Sequence, residues 1–291
     1  MVRVDNAVIM AAGTSSRFAP LSYERPKALI EVKGEVLIER QICQLKEAGI
    51  DDICIVTGYK AEMFEYLRRK FNVQLRENHD YAIRNNTSSI KVVEDIIRNT
   101  YICSADNYFN RNVFEQEVDS AYYAAVYSAG PTREWCLETD SNDYITHVTI
   151  GGSKTWYMQG QVFWDASFSK HFLELLDHEY NTPGMVDKLW EDVYIEHLDA
   201  LKLKIRRYPA DTIFEFDTLD ELRNFDRSYV DNTRSSIIAT IACELQVKER
   251  DITNIQCVKS CDNRAVGFTF KSHGKQYKYL YANGKIESKG W

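Results

Sequence analysis

The chain has 291 residues, of which 44% are hydrophobic and 27% charged, and this balance excludes disordered, collagen-like and coiled-coil proteins. Its length suits one large α/β domain with a small appendage. The net charge of −7 and the pI of about 5.5 exclude a basic protein that binds nucleic acid or anionic membranes through its overall field.

The first hundred residues alternate short apolar runs with amphipathic segments. We predict buried strands at residues 6–10, 52–57, 73–77 and 101–105, and helices at 36–48, 61–71 and 88–98. Strands that alternate with helices of this length favour a parallel sheet covered on both faces. Ligands of such sheets bind beyond the carboxyl ends of the strands, so we expect the loops after Met10 and Ala105 to share one functional edge.

Beyond residue 121 the pattern indicates mostly strands. We predict strands at residues 122–127, 135–139, 145–150, 156–164, 204–208 and 213–217, and helices at 169–180, 186–197 and 219–226. Residues 229–291 form a separate-looking unit, with a helix near 237–245 and a hairpin of strands 265–270 and 276–281 that turns at His273-Gly274. We therefore expect a large domain over 1–228 and a small α+β appendage over 229–291, which packs on the large domain because about 60 residues are marginal alone.

The sequence also bears on the cellular compartment. No run approaches the roughly 18 apolar residues that a membrane span needs, and Asp5 and Asn6 interrupt any apolar leader. The seven cysteines are an odd number and widely spread, which favours reduced thiols over disulfides. We expect a cytoplasmic protein that neither inserts into membranes nor binds nucleic acid.

The strongest chemical signal is a loop of small residues at 11–16, directly after the first predicted strand. Its backbone N–H groups can approach phosphate oxygens closely. Arg17 adds a planar fork of donors, and Lys27, within Pro26-Lys27-Ala28-Leu29, adds a mobile point charge. The alternative is a tight turn with two solvated cations, which the ordered combination of loop, Arg17, Pro20-Leu21-Ser22 and Lys27 disfavours.

This ordered set resembles the signature of the sugar-nucleotidyltransferase superfamily, and further motifs are similar to those of the bacterial CTP:phosphocholine cytidylyltransferases. The resemblance covers about residues 3–228. The motifs are Asn85-Asn86 with Ser88-Ser89-Ile90, Ser104-Ala105-Asp106-Asn107-Tyr108, Glu134-Trp135, Val162-Phe163-Trp164-Asp165 and Glu215-Phe216-Asp217. The resemblance implies a three-layer α/β nucleotidyltransferase fold with a Rossmann-like, mixed but mostly parallel sheet.

The resemblance implies a reaction in which phosphocholine attacks the α-phosphate of CTP and yields CDP-choline and pyrophosphate. A phosphate monoester is already largely ionised at neutral pH, so no general base is needed. Asp106 and Asp217 are expected to hold Mg²⁺, the expected cofactor, and Lys27 and Arg17 are expected to act with Asp106 in catalysis. The expected nucleotide-binding residues are Ala11, Ala12, Gly13, Thr14, Ser15, Ser16, Arg17, Asn86, Ser88, Ser89 and Ala105.

Tryptophans beside carboxylates suit a quaternary ammonium, which has no N–H to donate and is recognised by π-faces near negative charge. Trp135 and Trp190 stand beside charged residues, which predicts partial exposure, whereas Trp164 suits the core equally well. By resemblance, Trp135 matches a choline-binding tryptophan and Asp187 a neighbouring acidic position. The expected acceptor-binding residues are Trp135, Glu134, Asp187 and Trp190.

Three residues depart from the family pattern. Ser15 replaces a loop glycine, Ser104 replaces an acidic residue, and Leu189 replaces a tyrosine, which weakens the case for a choline-specific cage. A sugar-1-phosphate nucleotidylyltransferase and a catalytically inactive nucleotide-sensing module are the alternative functions. Oligomeric state and the choice between phosphocholine and phosphoethanolamine stay open.

The appendage has a resemblance of its own. Residues 249–255 and the hairpin after them are faintly similar to the opening strands of choline-kinase-like proteins. Because the kinase catalytic loop does not follow, we interpret the segment as a truncated kinase lobe without kinase activity. We expect its removal to leave nucleotidyl transfer largely intact.

Overall fold

The apolar runs of the sequence form strands and the amphipathic segments form helices in a computed structural model, which describes residues 1–261 and 264–288. The strands are β1 Val2–Arg3, β2 Asn6–Met10, β3 Glu31–Val32, β4 Glu35–Val36, β5 Ile53–Thr57, β6 Gln74–Glu77, β7 Thr100–Ser104, β8 Tyr108–Phe109, β9 Glu117–Val118, β10 Tyr122–Thr139, β11 Ile145–Trp164, β12 Lys204–Tyr208, β13 Ile213–Phe214, β14 Thr253–Lys259, β15 Ala265–Ser272, β16 Lys275–Leu280 and β17 Lys285–Ser288. The helices are α1 Leu21–Glu24, α2 Leu37–Glu47, α3 Tyr66–Phe71, α4 Thr87–Val92, α5 Ala166–Glu179, α6 Trp190–Glu196, α7 Leu219–Phe225 and α8 Ser236–Leu245. Within the described ranges, no helix is long and apolar enough to cross a membrane.

The chain divides into two compact units, and the division differs from the expected boundary at residue 228. The first unit comprises residues 1–13 and 38–215, and the second comprises residues 14–37 and 216–291. The second unit therefore joins an early stretch of the expected large domain to the expected appendage.

A seven-stranded sheet, in the order β12-β10-β11-β7-β2-β5-β6, forms the centre of the first unit. Strands β7, β2, β5 and β6 are parallel neighbours, and β11 pairs with both β7 and β10 in antiparallel fashion. All five residues of β5 are buried, as expected for a strand covered on both faces. The predicted α/β fold with a mixed, mostly parallel sheet is confirmed.

The register of the sheet brings two predicted loops together. Met10, the last residue of β2, pairs with Ser104, the last residue of β7, and the N–H of Ala105 donates to the Met10 carbonyl at 3.1 Å. The loops that begin at Ala11 and Ala105 therefore start side by side. In this unit, the predicted functional edge lies at the carboxyl ends of the central parallel strands.

Several element bounds differ from the prediction for local reasons. The four strands predicted between 122 and 164 are two long strands, β10 and β11, because register shifts carry the pairing across the intervening polar residues. Helix α6 begins at Trp190 instead of 186, since Leu189 is extended and the Asp192 carboxylate accepts its N–H at 2.8 Å. The predicted helix 61–71 is a 3₁₀ turn, Ala61–Phe64, followed by α3.

The second unit contains helix α8 and a four-stranded antiparallel sheet, β14-β15-β16-β17. The predicted helix face is confirmed, with Ile238 and Ile241 fully buried. The predicted hairpin turn is also confirmed: His273 and Gly274 lie between β15 and β16 with φ values of 46° and 78°. Two consecutive positive φ angles are typical of the two-residue turns that join antiparallel strands.

Candidate active site

The second unit holds Thr14, Ser15, Ser16, Arg17 and Lys27, which are part of the expected nucleotide-binding and catalytic set, and after that expectation we call residues 14–37 the phosphate-gripping segment. Its 3₁₀ turn, Ser16–Phe18, buries Phe18 and leaves 75% of the Arg17 side chain exposed. Ser15, which precedes this turn, has a left-handed φ of 47°. Glycine adopts that conformation without steric cost, so this departure from the family pattern places a serine where the backbone conformation favours glycine.

Lys27 and Arg17 converge on one carboxylate within this unit. An Arg17 Nη1–Asp217 Oδ2 distance of 2.7 Å and a Lys27 Nζ–Asp217 Oδ1 distance of 3.9 Å define the ion pairs. Only 4% of the Lys27 side chain is exposed, against 31% for Asp217. The two cations therefore meet at Asp217 within this unit, and each is of a kind that pairs well with phosphate.

Residues 11–13, the rest of the expected phosphate loop, belong to the first unit, and their backbone groups are partly engaged in hydrogen bonds of the fold. The Ala11 N–H donates to the Val56 carbonyl at 2.8 Å, and the Ala12 carbonyl accepts from the Tyr59 N–H at 3.0 Å. Ala11 and Ala12 are buried, whereas Gly13 is exposed. The Ala11 N–H is therefore engaged by the sheet, and Gly13 is the accessible backbone of the three.

The loop after β7 is held by a residue that the sequence analysis did not single out. The fully buried Gln41 on α2 donates from Nε2 to the carbonyls of Ser104 and Asn107, both at 2.8 Å. These bonds fix the backbone on either side of Asp106, which is partly exposed. A glutamine on the apolar face of a predicted helix was the available signal, because buried polar groups need partners.

The segment with Asn86, Ser88 and Ser89 is packed internally. The Asn78 side-chain amide donates to the Ser88 and Ser89 hydroxyls at 2.8 and 3.1 Å, and both serines are buried. Asn86 accepts the backbone N–H of Trp190 at 2.6 Å and donates to Glu191 Oε2 at 3.1 Å. Asn86 therefore joins the start of α4 to the start of α6, and the expected contact of Asn86, Ser88 and Ser89 with nucleotide stays a prediction.

The four expected acceptor residues differ widely in exposure. Trp135 is partly buried, and Glu134 and Asp187 are exposed. The expectation that Trp190 is partly exposed is wrong, because its side chain is 1% exposed. Its ring stacks on Tyr123 at 5.8 Å and meets Trp164 edge-on at 5.1 Å, so core aromatics occupy its π-face. Trp164 is likewise in the core.

Tyr157 of the first unit, which the sequence analysis did not assign to the acceptor, lies within electrostatic reach of two carboxylates. Burial raises the pKa of Tyr157, and the negative charges of Glu134 and Glu215 raise it further. Glu215 also accepts from the Asn107 side-chain amide at 3.4 Å. Glu215 was named above only within the motif Glu215-Phe216-Asp217. Because the charges of Glu134 and Glu215 both act on Tyr157, we call these three residues the aromatic and acidic cluster.

Glu191 is a buried acid directly after Trp190. Burial raises its pKa from 4.5 to about 7, against the opposing hydrogen bond from Asn86. The Tyr123 hydroxyl lies 3.5 Å from its other oxygen. A carboxyl with this pKa changes charge near neutral pH.

Asp106 and Asp217 belong to different units, so their shared role as magnesium ligands stays a prediction. Each offers the hard carboxylate oxygens that Mg²⁺ prefers. Among the described residues, the group of three or more potential metal ligands that converge is Glu179, Glu196 and His197, away from both aspartates in the sequence.

Known proteins are similar to most of this chain. Residues 6–129 match the Nucleotidyl transferase family. The choline-phosphate cytidylyltransferase of Streptococcus pneumoniae is 32% identical over 76% of this chain and 96% of its own length. The 2-aminoethylphosphonate cytidylyltransferase of Lancefieldella rimae is 36% identical over 79% of this chain and 95% of its own length.

A solved structure supports the same family. The CTP:phosphocholine cytidylyltransferase of Streptococcus pneumoniae superposes with a TM-score of 0.75 and 32% identity, over 78% of this chain and 99% of that one. The family resemblance drawn from the sequence motifs is thereby confirmed. The chain belongs to the nucleotidyl transferase family and is an enzyme of its cytidylyltransferase group.

Proposed function

We propose that this enzyme transfers the cytidylyl group of CTP to phosphocholine and releases pyrophosphate, and that it does so in the cytoplasm. The choline-phosphate cytidylyltransferases of Streptococcus pneumoniae and Haemophilus influenzae, each 32% identical, support this substrate pair. The observation that carries the proposal is the buried ammonium of Lys27 beside Arg17 and Asp217. A buried cation is costly unless paired, and a phosphate can pair with it in place of the carboxylate.

The chemistry needs positioning more than proton transfer. An oxygen of the phosphocholine phosphate forms a bond to the α-phosphorus of CTP, and the bond from that phosphorus to the β-phosphate oxygen breaks. Pyrophosphate leaves with the bonding electron pair. Because the attacking oxygen is already ionised at neutral pH, the protein's task is to align the groups and to stabilise charge.

Residue roles follow from this scheme and from the contacts above. Lys27 stabilises the negative charge that grows on the α-phosphate, and Arg17 holds the leaving pyrophosphate with the backbone of Gly13 and Ser16. Asp106 and Asp217 are the proposed magnesium ligands, and their carboxylate oxygens fit that ion. When bound, Mg²⁺ supplies charge neutralisation at the reacting phosphates.

The ammonium end of the acceptor suits the cluster of Tyr157, Glu134 and Glu215, with Trp135 close to Glu134 in sequence. Carboxylates attract the cation, and aromatic faces bind it without requiring an N–H donor. This cluster does not depend on Trp190, whose face is covered.

A second acceptor is supported by two specific observations. The covered face of Trp190 and the presence of Leu189 reduce the aromatic surface available to three methyl groups. A primary ammonium instead donates hydrogen bonds to carboxylates such as Glu134 and Glu215. The relative from Lancefieldella rimae, named a 2-aminoethylphosphonate cytidylyltransferase, is 36% identical, so 2-aminoethylphosphonate is the alternative acceptor.

Measuring pyrophosphate release over a grid of nucleotides and acceptors tests both proposed acceptors. CTP, UTP and ATP are each combined with phosphocholine, phosphoethanolamine, 2-aminoethylphosphonate and glucose 1-phosphate in the presence of Mg²⁺. We expect the highest kcat/KM with CTP and phosphocholine, and a loss of roughly thirtyfold for phosphocholine in Trp135→Ala, because a desolvated cation–π contact contributes about 2 kcal/mol.

The outcomes separate the candidates. A preference for 2-aminoethylphosphonate replaces phosphocholine by the second acceptor, and a preference for glucose 1-phosphate excludes both. Tyr127→Ala is the matched control, since Tyr127 is an exposed aromatic residue on the same strand as Trp135. We expect that variant to keep its kcat/KM for every acceptor.

A further inference from the structure

Residues 229–291 form the C-terminal segment, and its described residues pack against the phosphate-gripping segment within the second unit. About three quarters of this chain covers 96% of the pneumococcal relative, so about one quarter of the chain has no counterpart there. The motif resemblance ends near residue 228. The structure shows what this additional segment, described over 229–261 and 264–288, touches.

Helix α8 begins on a carboxylate of the phosphate-gripping segment. Glu24, the last residue of α1, accepts the N–H groups of Ser236 and Ile237 at 2.8 and 3.2 Å, and it also accepts the Ser236 hydroxyl. The first N–H groups of a helix lack partners within the helix, and a carboxylate there also benefits from the helix dipole. Glu24 therefore ties α1 to α8.

An aromatic stack forms a second tie. The Tyr23 and Tyr281 rings lie 3.7 Å apart between centroids, with 4° between their planes. Tyr281 directly follows β16, and its N–H donates to the Val266 carbonyl at 3.0 Å. The ring is thereby attached to the sheet on one side and to α1 on the other.

Further contacts hold the chain before and after Lys27 in the sequence. The Ser16–Phe18 turn packs against β14, and the Ser16 hydroxyl bonds the Cys257 thiol and lowers its pKa against the larger effect of burial. Beyond Lys27, the Tyr229 hydroxyl donates to the Glu31 carbonyl at 2.6 Å. The segment that carries Arg17 and Lys27 is therefore held along its length.

We propose that the C-terminal segment is a positioning element for nucleotide binding, and that it fixes Arg17 and Lys27 through Tyr281 on Tyr23 and through the N-terminus of α8 on Glu24. Tyr281 and Ser236 are positioning residues and touch no reacting atom. This inference rests on the proposed function for its catalytic consequence, and it opposes the expectation that the appendage is dispensable for transfer.

The test compares Tyr281→Ala with Tyr281→Phe, which keeps the stacked ring, in the full chain. Hydrogen–deuterium exchange of residues 14–37 reports whether the segment loosens, and calorimetry with CTP and Mg²⁺ reports nucleotide affinity. We expect faster exchange and a three- to tenfold higher Kd for CTP in Tyr281→Ala, the range that one aromatic pair contributes. Tyr281→Phe should show the wild-type exchange of residues 14–37 and the wild-type Kd for CTP. The KM for the acceptor should be unchanged in both variants.

Tyr277→Ala is the matched control. Tyr277 stacks on Phe270 at 5.2 Å, so its loss weakens the same sheet without removing the contact with Tyr23. A Kd for CTP that rises equally in Tyr277→Ala and Tyr281→Ala, or that rises in neither, overturns the proposal. If the wild-type enzyme uses no acceptor of the grid, the proposed function fails, while the exchange of residues 14–37 still decides the positioning claim.

Discussion

A lysine ammonium with 4% of its side chain exposed stabilises a reaction most where negative charge grows, because little water screens it. Replacing Lys27 with alanine should therefore lower kcat about 100-fold or more and raise the KM for CTP much less. Initial rates over a CTP series measure both constants. Lys33→Ala, in the same segment but exposed, should keep kcat. A change in the KM alone for Lys27→Ala would make Lys27 a binding residue.

The buried carboxyl of Glu191 makes the stability of the first unit depend on pH. Its pKa of about 7 in the folded chain lies above the ordinary 4.5, so the folded state binds the proton more tightly than the unfolded state does. Stability from this group is present below about pH 4.5 and is lost as pH rises towards 7. Relative to Glu191→Gln, the wild type should lose on the order of 3 kcal/mol of unfolding free energy across that interval.

Urea denaturation of both proteins between pH 4.5 and 7.5 measures this difference. Glu174→Gln is the control, because this exposed carboxylate on α5 lies outside the core, and that variant should keep the pH profile of the wild type. Parallel pH profiles for the wild type and Glu191→Gln would contradict the assignment.

At the scale of elements, α7 is joined to the segment that follows it by one buried guanidinium. Arg223 is 6% exposed and donates to the carbonyls of Tyr229, Glu249 and Ile252 at 3.3, 2.7 and 2.6 Å. The three carbonyls are bonded by three different nitrogens of the planar guanidinium. A lysine has a single ammonium nitrogen and cannot reproduce that spacing. We expect Arg223→Lys to lower the free energy of unfolding by about 2 kcal/mol, as measured by urea denaturation.

The exposed Arg227→Lys is the control for that change, and it should shift stability by less than about 0.5 kcal/mol. Equal stabilities of Arg223→Lys and the wild type would show that the three carbonyls are satisfied without the guanidinium.

At the scale of the whole molecule, hydrophobic periodicity predicted the sheet, the order of most elements and the hairpin at His273-Gly274, since each depends on local patterning. It did not predict the burial of Trp190, because an aromatic residue at a helix start reads the same whether its face meets solvent or Tyr123. Glu134 was expected at the acceptor site, but its grouping with Tyr157 and Glu215 was not predicted. Pairing of β10 with β11 brings Tyr157 towards Glu134, and Glu215 comes from a part of the chain far from both.

The grouping of residues 14–37 with residues 216–288 has a consequence for how the protein is made. About 180 residues separate these halves of one unit, so bringing them together costs more chain entropy than closing a local contact. During synthesis, the early segment emerges long before Ser236 and Tyr281, its partners. The first unit can acquire its sheet while the ribosome is still working, whereas the phosphate-gripping segment must await the last part of the chain, and we expect its folding to be the late, slow step.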